Sequence, residues 1–439
     1  MSITRGHLPQ LIICLTLSSI APAYAQSEGE QLPGASVLRL EQAVITALEH
    51  NPELAGLGAQ ADAMHTMPSQ VGALPDPVLS LNAMNLPADT FNTGQEPMTQ
   101  MQIAFSQSIP FPGKRGLKRE AIEHKADASD AMLAERRTSI IGDVRSSWWR
   151  LMYQDRALQI IEQNKALMRD FVEIAQTKYR VGNGLQQDVL LAQLELSRLL
   201  DRELRIVGMR QGNAAELNAL LGRPGNRVVN LPPLPPNAEL PELPAEISLL
   251  ERAGVSRSLI NVNRDLVESA QADLEFAMRD RYPDFRLGVG YGFRDGFDPM
   301  RGTDRADLVT VMLSVNVPLF SGSKQSKAVE QRSHEVSRQK FALNDTLRRV
   351  EAGVVKNFAE YHAARSQVTL LETAIIPQAQ QTVSSMLAGY QVNQVDFLNV
   401  VNTQITLYNA QINYWESLSR AKQALARLAS AVGEEALYE

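Results

Sequence analysis

The stretch QSIPFPGKRG, Gln107 to Gly116, decides how this chain must be built. On its N-terminal side the residues alternate. Met101, Ile103, Phe105 and Ile109 share one face, and Gln102, Ala104, Ser106 and Ser108 share the other. That period of two marks a strand that is apolar on one side and wet on the other. On its C-terminal side no proline occurs from Lys114 to about Val181, and apolar residues recur at spacings of seven. The series Val144, Leu151, Leu158 is one; Ile160, Leu167, Ile174, Val181 is another; Ile161, Met168, Ala175 is a third. This is coiled-coil spacing, and at about 1.5 Å per residue the helix becomes a rod of about 100 Å. Between strand and helix, Pro110 and Pro112 remove backbone donors, so sheet pairing stops, and Gly113 allows the change of direction. Lys114, Arg115 and Lys118 open the helix where cations do not suit its dipole. They are expected to anchor at a membrane surface instead.

Three more segments alternate. In FRLGVGYGFR, Phe285, Leu287, Val289, Tyr291 and Phe293 oppose Arg286, Gly288, Gly290, Gly292 and Arg294. In LVTVMLSVNVPL, Val309, Val311, Leu313, Val315 and Val317 oppose Thr310, Met312, Ser314 and Asn316. PVLSLNAMN is noisier, with Leu79, Leu81 and Ala83 on one face. The strands pair across polar loops, 76–87 with 98–110 and 283–294 with 307–320, and each pair reads as a hairpin. Their length suits tilted membrane strands of about 9–11 residues. No later apolar run approaches the roughly 20 residues of a membrane-spanning helix.

The pattern occurs twice. Pro110 in FSQSIP is matched by Pro318 in LSVNVP, where Leu319 and Gly322 make the same exit from the sheet. Tyr179 in YRVGNGLQQDVLLAQ is matched by Tyr390 in YQVNQVDFLNVVNTQ; a glutamine (Gln193, Gln404) and a leucine (Leu196, Leu407) follow at equal distances. Several matches in two separate blocks indicate an internal duplication. The expected organisation is a signal peptide over 1–25, a first repeat over 26–222 and a Pro-rich linker over 223–244. A second repeat over 245–434 and a tail over 435–439 complete it. The long helical hairpins are placed at about 113–221 and 322–434.

The signal peptide is read from Arg5, the apolar run LIICLTLSSIAPA and the small-x-small pattern Ala23-Tyr24-Ala25. The chain's single cysteine, Cys14, lies inside that run, which leaves the mature chain without a thiol. A formal net charge of -6 gives no basis for a nucleic-acid partner. No GxSxG, HExxH or phosphate-loop motif is present, so no enzyme chemistry is expected. His50, His65, His124, His334 and His362 show no repeated ligand spacing. The nearest approach to a soft-metal cluster, Met64, His65 and Met67, reads as packing and surface residues. Neither a metal site nor a cofactor is expected. Trp148 and Trp149 read as packing residues, and Arg286 and Arg294 as facing a lumen, with a place already in the loop as the alternative for Arg294.

Four strands cannot close a membrane barrel, and an open sheet edge is not tolerated in lipid. Several chains must therefore share one barrel; three would supply about twelve strands, enough for an open lumen. With the junctions FSQSIPFPGKRG and LSVNVPLFSG, the two helix turns and the ALLGRP end of the first repeat, the chain resembles the TolC family of trimeric outer-membrane efflux channels. PDPVLSLNAMNLP and the segment around Met98 to Glu120 are most similar to its heavy-metal, CzcC-like branch. The resemblance implies a mixed α and β fold with a duplicated helix–β-hairpin–long helical hairpin repeat. It implies a homotrimer with one shared 12-stranded barrel in outer-membrane lipid above a periplasmic α-helical barrel. It also implies a passive exit duct working with a periplasmic adaptor and an inner-membrane RND pump, here with heavy-metal cations as cargo. Multidrug efflux and type I secretion are the alternatives within the same channel class. A periplasmic adaptor is the remote one, since it would carry one helical hairpin rather than two.

The resemblance further implies a gate at the periplasmic turns, 179–188 and 390–399. In the family a tyrosine of the second turn bonds an aspartate of the first; Tyr390 and Asp188 hold those positions. Where the family has an arginine five residues after the tyrosine, this chain has Val395. Where it has an acidic ring, this chain has Asn399 and Asn402, with Asp396 on the same turn.

Overall fold

The computed structural model describes residues 37–233, 239–392 and 394–438. The expected signal peptide, with Cys14, lies outside them.

The first half begins with α1 (Leu40–His50) and α2 (Pro52–Gly72), followed by strands β1 (Val78–Met84) and β2 (Gln100–Ile109). Helices α3 (Lys114–Arg180) and α4 (Gln186–Leu220) complete it. The second half repeats the order with α5 (Glu246–Ser256), α6 (Ser258–Arg279) and β3 (Phe285–Phe293). Its loop carries a minor hairpin, β4 (Phe297–Asp298) and β5 (Thr303–Asp304), before β6 (Leu308–Val315). Then come α7 (Gln325–Leu370), a π-helical turn (Leu371–Ile375), α8 (Ile376–Gln391) and α9 (Phe397–Val432). No helix among the described residues is long and apolar enough to cross a membrane.

The four long strands form one antiparallel sheet in the order β1-β2-β3-β6. The duplication is visible in its register. Leu81 faces Ile103 in the first hairpin and Val289 faces Val311 in the second, a shift of 208 positions on both strands. The halves are joined by β2 and β3, where Phe105 faces Val289. Most large apolar residues of the strands lie on one face and are exposed there, among them Leu81, Phe105, Val289 and Val311; Val78, Met84 and Met312 lie on the other. Burying such a side chain contributes about 1.5–3 kcal/mol, so this face belongs in lipid rather than water. The opposite face is largely polar. Gly290 and Gly292 leave room on it for Gln102 and Gln100 of β2, and Gly288 for Met312 and Ser106: a Cβ on Gly290 would meet Gln102 Nε2 at 2.7 Å. Among the described residues, the outer edges of β1 and β6 have no strand partner.

The sheet stops where the prolines require it. β6 ends at Val315, short of the expected 320, because Pro318 has no N–H to pair. Arg294 was expected on the polar face of β3 but lies in the loop, past the strand end at Phe293. Its Nε donates to Ala306 O at 2.6 Å and its Nη1 to Pro97 O at 3.2 Å, stapling the two hairpin loops together.

α3 is the spine of the helical part and packs against α2, α4, α6 and α9. Val144, Leu151, Ile161, Met168 and Ala175 are buried along it. One expected heptad series departs from the core: Ile174 and Val181 are exposed. A straight helix drifts by about 20° per heptad, so a series of seven moves out of one seam over three heptads. Trp148 and Trp149 are both buried and meet edge to face at 5.3 Å. Beyond packing, each also donates a hydrogen bond. Trp148 Nε1 donates to Leu38 O at 3.1 Å and Trp149 Nε1 to the Tyr438 hydroxyl at 2.6 Å.

Candidate functional site: the helix tip and the strand-to-helix junctions

At the far end of the long helices, Gly182 adopts φ +75° and turns α3 into α4. Asp396 N-caps α9 on the second turn. Tyr390 is half-buried there, with its ring centroid 5.4 Å from that of Phe397. Lys178 Nζ stands 3.8 Å over the tyrosine ring. Its repeat counterpart, Tyr179, is 49% exposed, so the two tyrosines have unlike surroundings. Burial, and then the nearby charge of Asp188, push the Tyr390 phenol above its usual range. No hydrogen bond joins Asp188 to Tyr390 among the described residues. Asp396, Asn399 and Asn402 are exposed on the first turns of α9, at spacings of three that place them along one face.

At the membrane end, the exit of β2 is closed tightly. Gly113 N-caps α3 with φ +88°, and a Cβ there would collide with the Arg279 guanidinium. Lys114 is not at a membrane surface: it is 4% exposed. Its Nζ donates to Asp280 Oδ1 at 3.1 Å, Tyr282 O at 2.9 Å and Asp284 Oδ1 at 2.9 Å. Asp284 also accepts the Phe111 N–H at 2.8 Å, and the Phe111 ring stacks on Tyr282 at 4.6 Å. Thus the residues entering β3 in the second repeat lock the exit of β2 in the first. The reason for the early cation is this buried pairing, which outweighs an unfavourable helix dipole. Arg115 and Lys118 also turn to the protein, to Gly72 O at 2.8 Å and to the Phe276 ring at 4.7 Å.

The exit of β6 is built differently. Pro318 leads into a wide turn in which Ser323 N and Lys324 N both donate to Phe320 O. Gly322 does not use the left-handed region and has open space around it. It therefore does not repeat the role of Gly113.

Sequence reading missed two features of the helical part. Gln404 is buried and its Nε2 donates to Asn164 Oδ1 at 2.8 Å, whereas Gln193, its repeat counterpart, is exposed. Nothing in the repeat distinguishes them, because burial depends on where each return helix lies. Folding also brings His124, Asp127 and Asp265 together, with one ligand atom of each within 4.8 Å of the others. A separation of 138 residues between Asp127 and Asp265 hid that group from any reading of spacing.

The model of the family described as "Outer membrane efflux protein" matches residues 44–223 and 249–434. The chain is 21% identical over 401 residues to the cobalt-zinc-cadmium resistance protein CzcC of Cupriavidus metallidurans, covering 91% of each. It is 23% identical to the alkaline protease secretion protein AprF of Pseudomonas aeruginosa, over 62% of this chain and 56% of that one. The fold is shared with the outer membrane protein VceC of Vibrio cholerae, at TM-score 0.75 and 20% identity over 91% of this chain and 97% of that one. With both halves matched and with a lipid-facing sheet set on long helical hairpins, the chain belongs to the outer membrane efflux protein family, as an outer-membrane channel and not an enzyme.

Proposed function

We propose that three copies of this chain form one passive exit duct for heavy-metal cations, taking cargo from an inner-membrane RND pump through a periplasmic adaptor. The single observation that carries the trimer is the open four-stranded sheet, apolar on its exposed face and unpaired at β1 and β6. Lipid does not tolerate such edges, so β6 of one copy must pair with β1 of the next. The duplication supplies the register. Moving the Phe105–Val289 pair by one repeat in opposite directions sets Leu313 of one copy against Leu81 of its neighbour. Facing residues in antiparallel strands lie within disulfide reach. The only native cysteine is Cys14. A Leu81→Cys/Leu313→Cys double variant is therefore expected to give a covalent trimer on denaturing gels, and each single variant a monomer. A product that stops at dimer, or none at all, would sink the shared barrel.

The metal cargo is supported by the resistance protein CzcC, matched over nine-tenths of both chains, where AprF is matched over about half of its own. Deletion of the gene is expected to lower tolerance of zinc, cobalt or cadmium and to leave drug tolerance and protease secretion unchanged. Lost secretion with normal metal tolerance favours the second reading, a type I secretion duct, which rests on AprF.

The gate is placed at Tyr390 and Asp188, with Asp396, Asn399 and Asn402 around the mouth. A phenol–carboxylate bond contributes roughly 1.5–3 kcal/mol, enough to bias a tip and weak enough to release. Tyr390→Phe is expected to raise single-channel conductance and antibiotic leakage; unchanged values would remove Tyr390 from the gate.

A further inference from the structure

Between the sheet and the middle of the helical part, α3 of the first repeat runs antiparallel to α6 of the second. Ser269 Oγ donates to Ala121 O at 2.8 Å across this seam and is buried. One turn along, His124 and Asp127 lie three residues apart on α3, which puts them on one face. Asp265 reaches the same point from α6, four residues before Ser269. The three side chains offer one ligand atom each within 4.8 Å of one another.

Two features of this group go beyond proximity. His124 Nδ1 is fully buried and has no hydrogen-bond partner, a cost that folded proteins seldom leave uncompensated. Asp127 and Asp265 also bring two carboxylates to this point from opposite sides of the seam. A divalent metal is a cation that both carboxylates and an imidazole bind.

We propose that His124, Asp127 and Asp265 form a divalent transition-metal site that clips α3 of one repeat to α6 of the other. One imidazole and two carboxylates suit zinc or cobalt, whereas magnesium and calcium call for oxygen ligands alone. Only three protein ligands are offered, and Asp127 is exposed, so the ion exchanges with solvent. The site stands whether the duct carries metals or something else, because its ion is held by the wall.

The test uses the full chain, purified in detergent without a histidine tag, with Zn2+ and Co2+ as probes. Calorimetry is expected to give one Zn2+ per chain. Co2+ is expected to show visible d–d absorption that Zn2+ abolishes and excess Mg2+ does not. His124→Gln and Asp265→Asn should each weaken binding by more than about tenfold, since even changes outside the ligand shell cost that much. Zn2+ should raise the unfolding midpoint of the parent chain and not of these variants. His65→Gln is the control: His65 Nε2 pairs with Asp130 at 2.8 Å on α2 and α3, so its loss should change nothing. If His124→Gln fails to assemble, Asp127→Asn, altered at an exposed side chain, must still weaken Zn2+ by the same measure. Absence of saturable binding, undiminished binding in the variants, or equal displacement by Mg2+ overturns the site.

Discussion

The two exits from the sheet began as copies of one another and now differ. After β2, the chain turns through a left-handed glycine and seats Lys114 in a buried pair with Asp280 and Asp284. After β6, the turn is wide and Gly322 stands in open space. The inner exit is followed in the same chain by the strand that closes it. The last exit has no such successor, and Asp76, the repeat counterpart of Asp284, lies at the far edge of the same sheet. The return helices differ likewise. α9 buries Lys422, Gln404 and most of its length, whereas α4 keeps one side exposed. Position in the assembled sheet and bundle, rather than the repeat motif, decides which copy is locked.

The largest effect is expected from removing the lock. Lys114→Met strips a buried cation from two partly exposed carboxylates and a carbonyl, and losing its three charge-assisted hydrogen bonds is expected to cost about 3 kcal/mol or more. A lower unfolding midpoint of the assembled protein would show it. Lys324→Met, on an exposed side chain, is expected to cost under about 1 kcal/mol. Equal losses would break the comparison.

Next comes Lys422. Its Nζ donates to Glu239 O at 2.6 Å, and burial lowers the ammonium to about 8 from the ordinary 10.5, with Glu239 opposing. Between these values the unfolded chain holds a proton that the folded one has lost, so stability rises with pH. It is full above the unfolded value and is lost as pH falls through about 8. The whole effect amounts to about 3 kcal/mol at most. Unfolding midpoints measured from about pH 7.5 to 9.5 should climb more steeply in the parent than in Lys422→Met.

Smaller is the cost of a Cβ at the turn. Gly113→Ala forces a left-handed alanine, about 1–2 kcal/mol, and displaces Arg279 besides. Gly322→Ala should fall within about 0.5 kcal/mol of the parent. The smallest difference is expected between the paired glutamines. Gln404→Ala leaves Asn164 Oδ1 buried without its donor, about 1 kcal/mol, while Gln193→Ala leaves stability unchanged within about 0.5 kcal/mol. Denaturant midpoints would rank all four variants.

Interruptions in the second long helix obey the same contrast. α3 runs unbroken for 67 residues, but its counterpart passes through a π-helical turn at Leu371–Ile375 and resumes with Pro377 in the first turn of α8. Proline cannot donate to residue 373, and the wider turn absorbs that loss.

Local chemistry was enough for much of this. Alternation wrote the strands and their lipid face, because a strand's side chains can point only two ways. Prolines fixed where the sheet had to stop, and matched motifs exposed the duplication. The gate candidates were legible only through resemblance; at the tip, the structure adds Lys178 over the Tyr390 ring. What the tertiary structure alone decided are the partners of residues far apart in the chain. Lys114 meets Asp284, Gln404 meets Asn164, and His124 meets Asp265 only after β2 pairs with β3 and α6 and α9 pack on α3. A repeat determines which side chains recur. Which of them are buried depends on the neighbours each copy acquires, and no local pattern carries that information.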